Sequence, residues 1–124
     1  MKSTLLLMGG IYSFAFAAFH MCFWKIFRWK ADLARLTSVN RAIMQVINLR
    51  LIYVFMIVGL TTVLFPGPLL ATDLGVFILG ATSLFWLMRA LEQIIFFGLH
   101  TAASIMMFGV FLIGCGLFAA IIFM

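Results

Sequence analysis

Acid is scarce in this chain: Asp32, Asp73 and Glu92 are the only carboxylate side chains among 124 residues, against eight Lys and Arg and a formal net charge of +5. Charged residues of both signs amount to 9%, apolar residues to 67%, and the mean hydropathy is +1.30. A soluble domain is nearer half apolar and a quarter charged, so none fits here. Proline occurs twice, at Pro66 and Pro68, leaving long stretches free to run as unbroken helix. The two cysteines, Cys22 and Cys115, form no CxxC pair, which removes thiol-oxidising membrane enzymes. They are expected at different depths, hence as free thiols, because a disulfide needs Cα atoms within about 7 Å. There is no HExxH, no phosphate-binding glycine loop and no nucleophile–base constellation.

What is present is apolar length. At about 20 residues per span, the chain holds four or five spans with little left for loops. The charge is not spread evenly. Lys25, Arg28, Lys30, Arg35, Arg41 and Arg50 stand in one island, with Asp32 as its only acid. Lys and Arg beside short spans are retained on the cytoplasmic side, so this island sets the orientation. It places both termini outside and Arg89 near the inner end of the third span. The pI near 9.9 points to anionic phospholipid headgroups through these six residues, each worth roughly 1 kcal/mol near the surface. Nucleic acid is not expected, because the cations lie beside spans.

The opening MKSTLLLMGGIYSFAFA imitates a signal peptide. Its apolar character continues through Phe23, and it is expected to remain as the first span, 4–27. In this span Gly9, Ser13 and Ala17 recur every four residues, and His20 and Trp24 continue that face. Small residues at that spacing let helices approach closely in lipid. Leu6, Phe14, Phe16, Phe19 and Phe23 are assigned to the lipid side, and Trp24 and Trp29 to the interface. A cytoplasmic loop, 28–38, precedes a second span, 39–65, with Thr37 or Ser38 as its cap. One face of the second span reads Arg41, Gln45, Asn48, Ile52, Phe55, Gly59 and Thr62, a polar stripe grading into an apolar one with depth. Pro66-Gly67-Pro68 predicts a turn. A third span, 72–97, is capped by Thr72 and broken by Gly98. The fourth, 101–123, is capped by Thr101. Its expected packing face is Ala102, Met106, Gly109, Ile113, Gly116 and Ala120.

The polar side chains that cost most in a bilayer are His20, Asn48, Arg89, Glu92, Gln93 and His100, all on the cytoplasmic side. Arg89 lies three residues from Glu92 and four from Gln93, so all three can touch. A structural reading has them bridging helices and neutralising one another. Two sharper readings stand beside it. His20 and His100 are candidate axial ligands for a b-type haem, with Arg50 or Arg89 meeting its propionates. Glu92, with His20 and Asn48, is a candidate proton or ion path, although the outer half holds only Ser13, Thr61, Thr62 and Ser83. Small multidrug-resistance transporters share the length and span number but depend on a carboxylate in span one, which this chain lacks.

The phrases FHMCFWKIF, NRAIMQVINL and RALEQIIFF together resemble small four-span bacterial inner-membrane proteins. The resemblance covers most of the chain and implies that location; it assigns no activity to any residue. The expectation is therefore an all-α polytopic membrane protein, one domain over 1–124, folded as an antiparallel four-helix transmembrane bundle. Its expected role is that of a non-catalytic accessory or assembly subunit, or a homo-oligomer, with no cofactor or metal. Gly9, Ser13, Ala17, Gly59, Gly109 and Gly116 are its expected helix-packing residues, with other membrane helices as partners.

Overall fold

Helices form here wherever the chain is apolar and proline-free, and three threonines decide where the long ones begin. The structure, a computed structural model, describes residues 1–124 throughout. Helix α1 covers Lys2–Met21, α2 Phe23–Ile26 and α3 Trp29–Asp32, followed by a 3-10 turn over Leu33–Arg35. Then come α4 (Ser38–Leu64), α5 (Pro66–Ala71), α6 (Asp73–Glu92) with a π-helical turn over Gln93–Phe97, and α7 (Ala102–Phe123). There are no strands. Lys2–Met21, Ser38–Leu64, Asp73–Phe97 and Ala102–Phe123 are each long and apolar enough to cross a membrane. Thr37, Thr72 and Thr101 place Oγ1 on the backbone N–H groups of Asn40 (3.3 Å), Gly75 (3.0 Å) and Ser104 (3.2 Å). Each satisfies a donor that the first helical turn leaves unpaired.

The chain divides into two compact units. The first, here the basic unit, is Gly10–Thr61; the second, the hairpin unit, is Met1–Gly9 with Thr62–Met124. In the basic unit Phe14 lies against Gly59, the rings of Phe16 and Phe55 are 5.7 Å apart, and Asn48 reaches the His20 backbone. Positions rising along α1 meet positions falling along α4, so these two stretches run in opposite directions. A Cβ on Gly59 would stand 2.7 Å from Phe14 Cε1; the glycine is what admits the ring. In the hairpin unit Ser83 Oγ donates to the Cys115 carbonyl (2.9 Å), Trp86 stacks on Phe111 (6.0 Å), and Gln93 bonds Ser104. There α6 and α7 also run in opposite directions. Gly75 rests on the Leu69 carbonyl, where no side chain fits, and Phe118 fills the space beside Gly9.

Several expectations change. The first helix does not run smoothly to Phe27. It breaks at Cys22 and resumes, with Ile26 and Phe27 N–H groups bonding the Cys22 and Phe23 carbonyls. Pro66-Gly67-Pro68 is not a plain turn but the start of α5, because proline is tolerated in a first turn whose N–H groups are unpaired anyway. The lipid-side assignment on α1 is wrong for Leu6 and Phe16, which are buried, and for Phe14, which packs on Gly59. Leu7, Met8, Ile11 and Met21 are the exposed side instead. Small residues mark where backbones come close, but flanking rings then fill the space beside them. On α7 the buried face is Ser104, Phe111, Gly114, Phe118 and Ile121. Of the expected face, Gly109 and Gly116 have no atom within 4 Å of a built Cβ, and Ile113 is 63% exposed. This helix is apolar on every side, so its sequence holds no amphipathic signal to orient it.

Candidate functional site

Five of the six polar residues singled out from sequence fall into two groups, and His100 stands outside both. In the basic unit, His20 and Asn48 are buried together at 8% and 3% exposure. His20 Nδ1–H donates to the Phe16 carbonyl one turn back (2.9 Å), and the imidazole stacks on Phe23 at 4.3 Å with Phe55 at 5.1 Å. Asn48 Nδ2 donates to the His20 carbonyl at 3.0 Å. Carbonyls in the last turn of a helix lack intrahelical donors, so this amide, arriving from α4, seals the end of α1. Asn48 Oδ1 is buried with no hydrogen-bond partner.

In the hairpin unit, Arg89, Glu92 and Gln93 do come together, as their spacing on one helix predicts. Arg89 Nη2 donates to Gln93 Oε1 (3.2 Å), and Nη1 is 4.0 Å from Glu92 Oε2. The guanidinium also lies over Phe111 at 4.5 Å and Phe97 at 5.5 Å, within cation–π range. Gln93 passes the chain on: Nε2 donates to Ser104 Oγ (2.8 Å), whose hydroxyl in turn donates to the Gly98 carbonyl. Ser104 went unnoticed in the sequence, although its place three residues after the Thr101 cap puts it in the first turn of α7. The π-helical turn at Gln93–Phe97 and the left-handed Gly98 (φ +68°) close the helix there.

His100 belongs to neither network. It is exposed in the loop after Gly98, with its ring where a Cβ on that glycine would stand. Neither unit contains both histidines. No three His, Cys, Asp or Glu side chains are grouped so as to hold a metal ion. Glu92 is 53% exposed, beside its arginine.

The six basic residues also separate. All six, Lys25, Arg28, Lys30, Arg35, Arg41 and Arg50, are exposed, and what sets one apart is its bonding. Arg41 differs: its Nε donates to the Leu33 carbonyl (2.9 Å) and its Nη2 to the carbonyls of Ala34 (3.3 Å) and Leu36 (3.2 Å). Nothing in the spacing says that Arg41, expected at the headgroups, folds back on the preceding turn. Trp29, expected at the interface, is buried against Trp24 (5.1 Å) and Phe23 (5.7 Å).

Chemically, both polar groups fasten helix ends: one by a single amide among aromatic rings, the other by a relay of four residues. No protein-family model, curated protein or solved structure matches the chain.

Proposed function

We propose that this chain is a small integral membrane protein that works by packing against other membrane helices, as an accessory or assembly subunit or as a homo-oligomer, without catalytic chemistry of its own. In this reading its four long helices form an antiparallel bundle in a bacterial inner membrane. The basic end, Lys25–Arg50, faces the cytoplasm and both termini lie outside. The observation that carries the proposal is the open face of α7. Gly109 and Gly116 stand one heptad apart with nothing beside them, although glycine weakens a helix interior by about 1 kcal/mol relative to alanine. A pair of glycines whose open sides meet nothing in their own chain suits the close approach of a second helix. The low internal burial agrees, at 17% for the most apolar stretch of α4 and 22% for that of α7.

The test is extraction from the native membrane in mild detergent, followed by sizing. Wild-type protein is expected in an assembly larger than one copy. Gly116→Leu should release single chains, whereas Phe77→Leu, at a position 70% exposed on α6, should not. A wild-type chain that runs as a monomer, or equal behaviour of both variants, rejects the reading.

A further inference from the structure

The connector between α1 and α4 is short, carries four exposed cations, and is held more firmly than a loop needs to be. Lys25, Arg28, Lys30 and Arg35 are exposed, and none takes part in an ion pair within the chain, whose one salt bridge is Arg89–Glu92. Beneath them the segment is pinned twice. Trp29 and Leu33 are buried, and the Arg41 guanidinium holds the carbonyls of Leu33, Ala34 and Leu36. Exposed apolar Ile26 and Phe27 sit among the cations, the mixture expected of a segment lying at a headgroup boundary. At its centre Arg28 adopts φ +52°, ψ +40°, the only non-glycine residue with positive φ in the chain. That conformation is uncommon for a side chain of this size, and such strain gathers at sites where a ligand is held.

We infer that Lys25, Arg28, Lys30 and Arg35 form a preorganised site for the phosphate of an anionic phospholipid, with Arg41 and Trp29 as positioning residues beneath it. The inference rests on the membrane reading above and deepens it. A diffuse basic belt attracts anionic lipid in proportion to charge alone. A built site also depends on the geometry that holds the charges, because fixing groups in the bound arrangement reduces the ordering cost of binding. Arg50 lies within α4 and not on the connector, with its guanidinium 6.0 Å from the Tyr53 ring, and is not counted in the site.

Variants that keep every charge separate the two cases. The protein is reconstituted in nanodiscs of phosphatidylcholine, alone or with phosphatidylglycerol, and the bound phosphatidylglycerol is counted by native mass spectrometry as its fraction rises. Helical circular dichroism and protease protection in pure phosphatidylcholine discs check the four-span reading independently; failure there rejects that reading and this one with it. In discs where the chain is inserted, binding is expected to saturate. Neutralising any of the four cations should weaken it about fivefold, and Arg50→Gln should leave it unchanged. Arg41→Lys keeps the charge but not the three-carbonyl clamp, and Trp29→Leu alters no charge. Both should weaken binding about threefold or more. Arg28→Gly should weaken binding while raising the melting temperature in phosphatidylcholine discs, since glycine relieves the left-handed backbone. Non-saturating binding, or wild-type binding by Arg41→Lys and Trp29→Leu with an equal loss for Arg50→Gln, overturns the site. An equal gain in melting temperature from millimolar inorganic phosphate, added to phosphatidylcholine discs, reassigns it to soluble phosphate and overturns the lipid assignment.

Discussion

The basic unit and the hairpin unit solve the same problem by opposite means. Each has a helix that must end among apolar neighbours with its carbonyls accounted for. The hairpin unit does it with a relay: Arg89 to Gln93 to Ser104 to the Gly98 carbonyl. The basic unit uses one amide from Asn48 and surrounds it with the rings of Phe16, Phe19, Phe23 and Phe55 about His20. The relay leaves no buried side-chain atom unpaired, whereas the single amide leaves Asn48 Oδ1 without a donor. The lesson is one of reach. Gln93, one methylene longer than asparagine, sits opposite a hydroxyl that both accepts and donates, while Asn48 faces a backbone carbonyl that can only accept.

The largest expected effect compares backbone with ring contacts. Gly75 meets the Leu69 carbonyl, which cannot move without shifting α5, whereas Gly59 meets the edge of Phe14, which can swing. Gly75→Ala should therefore cost about 3 kcal/mol and Gly59→Ala about 1 kcal/mol, the two ends of the overpacking range. Reversible unfolding in detergent measures both. Equal costs would mean that the two contacts are equally rigid and that this part of the comparison fails.

Next comes the polar contrast itself. Gln93→Leu removes the donor to Ser104 Oγ, which keeps its bond to the Gly98 carbonyl, and leaves an Arg89 N–H without its acceptor, and should cost about 1 to 2 kcal/mol. Asn48→Leu loses one bond but also removes the unpaired Oδ1, so its cost should stay below about 1 kcal/mol. A larger loss at Asn48 than at Gln93, in the same unfolding measurement, would show that Oδ1 has a partner in the folded protein in detergent.

The smallest effect concerns the outer end of the relay. Arg89 keeps Gln93 and two rings when Glu92 is removed, and Glu92 is 53% exposed. Glu92→Gln should cost under about 0.5 kcal/mol, and Arg89→Leu more, near 1 kcal/mol, through the lost cation–π contacts. The double change should cost less than the sum of the two. Strict additivity would make the 4.0 Å approach of the two charges incidental.

Much of the helix plan was legible before the fold. Thr72 and Thr101 as caps, Gly98 as a breaker and the contact of Arg89 with Gln93 follow from rules that act within a few residues along one chain. The polar-to-apolar stripe of α4 was legible in part: Asn48, Phe55, Gly59 and Thr62 are buried, Gln45 and Ile52 are half-buried, and Arg41 at its start is exposed. Where the signal was weaker, the reading failed in a particular way. On α1, phenylalanine stands on the buried side as well as beside it, so residue type alone could not say that Phe14 is the ring that faces Gly59. On α7 every side is apolar, so no pattern could choose between the face with Phe111 and Phe118 and the face with Gly109 and Gly116.

Length, hydropathy and the scarcity of acid determined by themselves that this chain makes four membrane-length helices, since those properties sum over whole segments and tolerate local error. Tertiary structure alone decided that Arg41 folds back on the connector, that Ser104 completes the relay from Arg89, and that Asn48 ends α1 from a distance of 28 residues along the chain. Those choices depend on which side chain lies within hydrogen-bonding reach of which orphaned carbonyl. That is a relation between elements, and no stretch of sequence carries it alone.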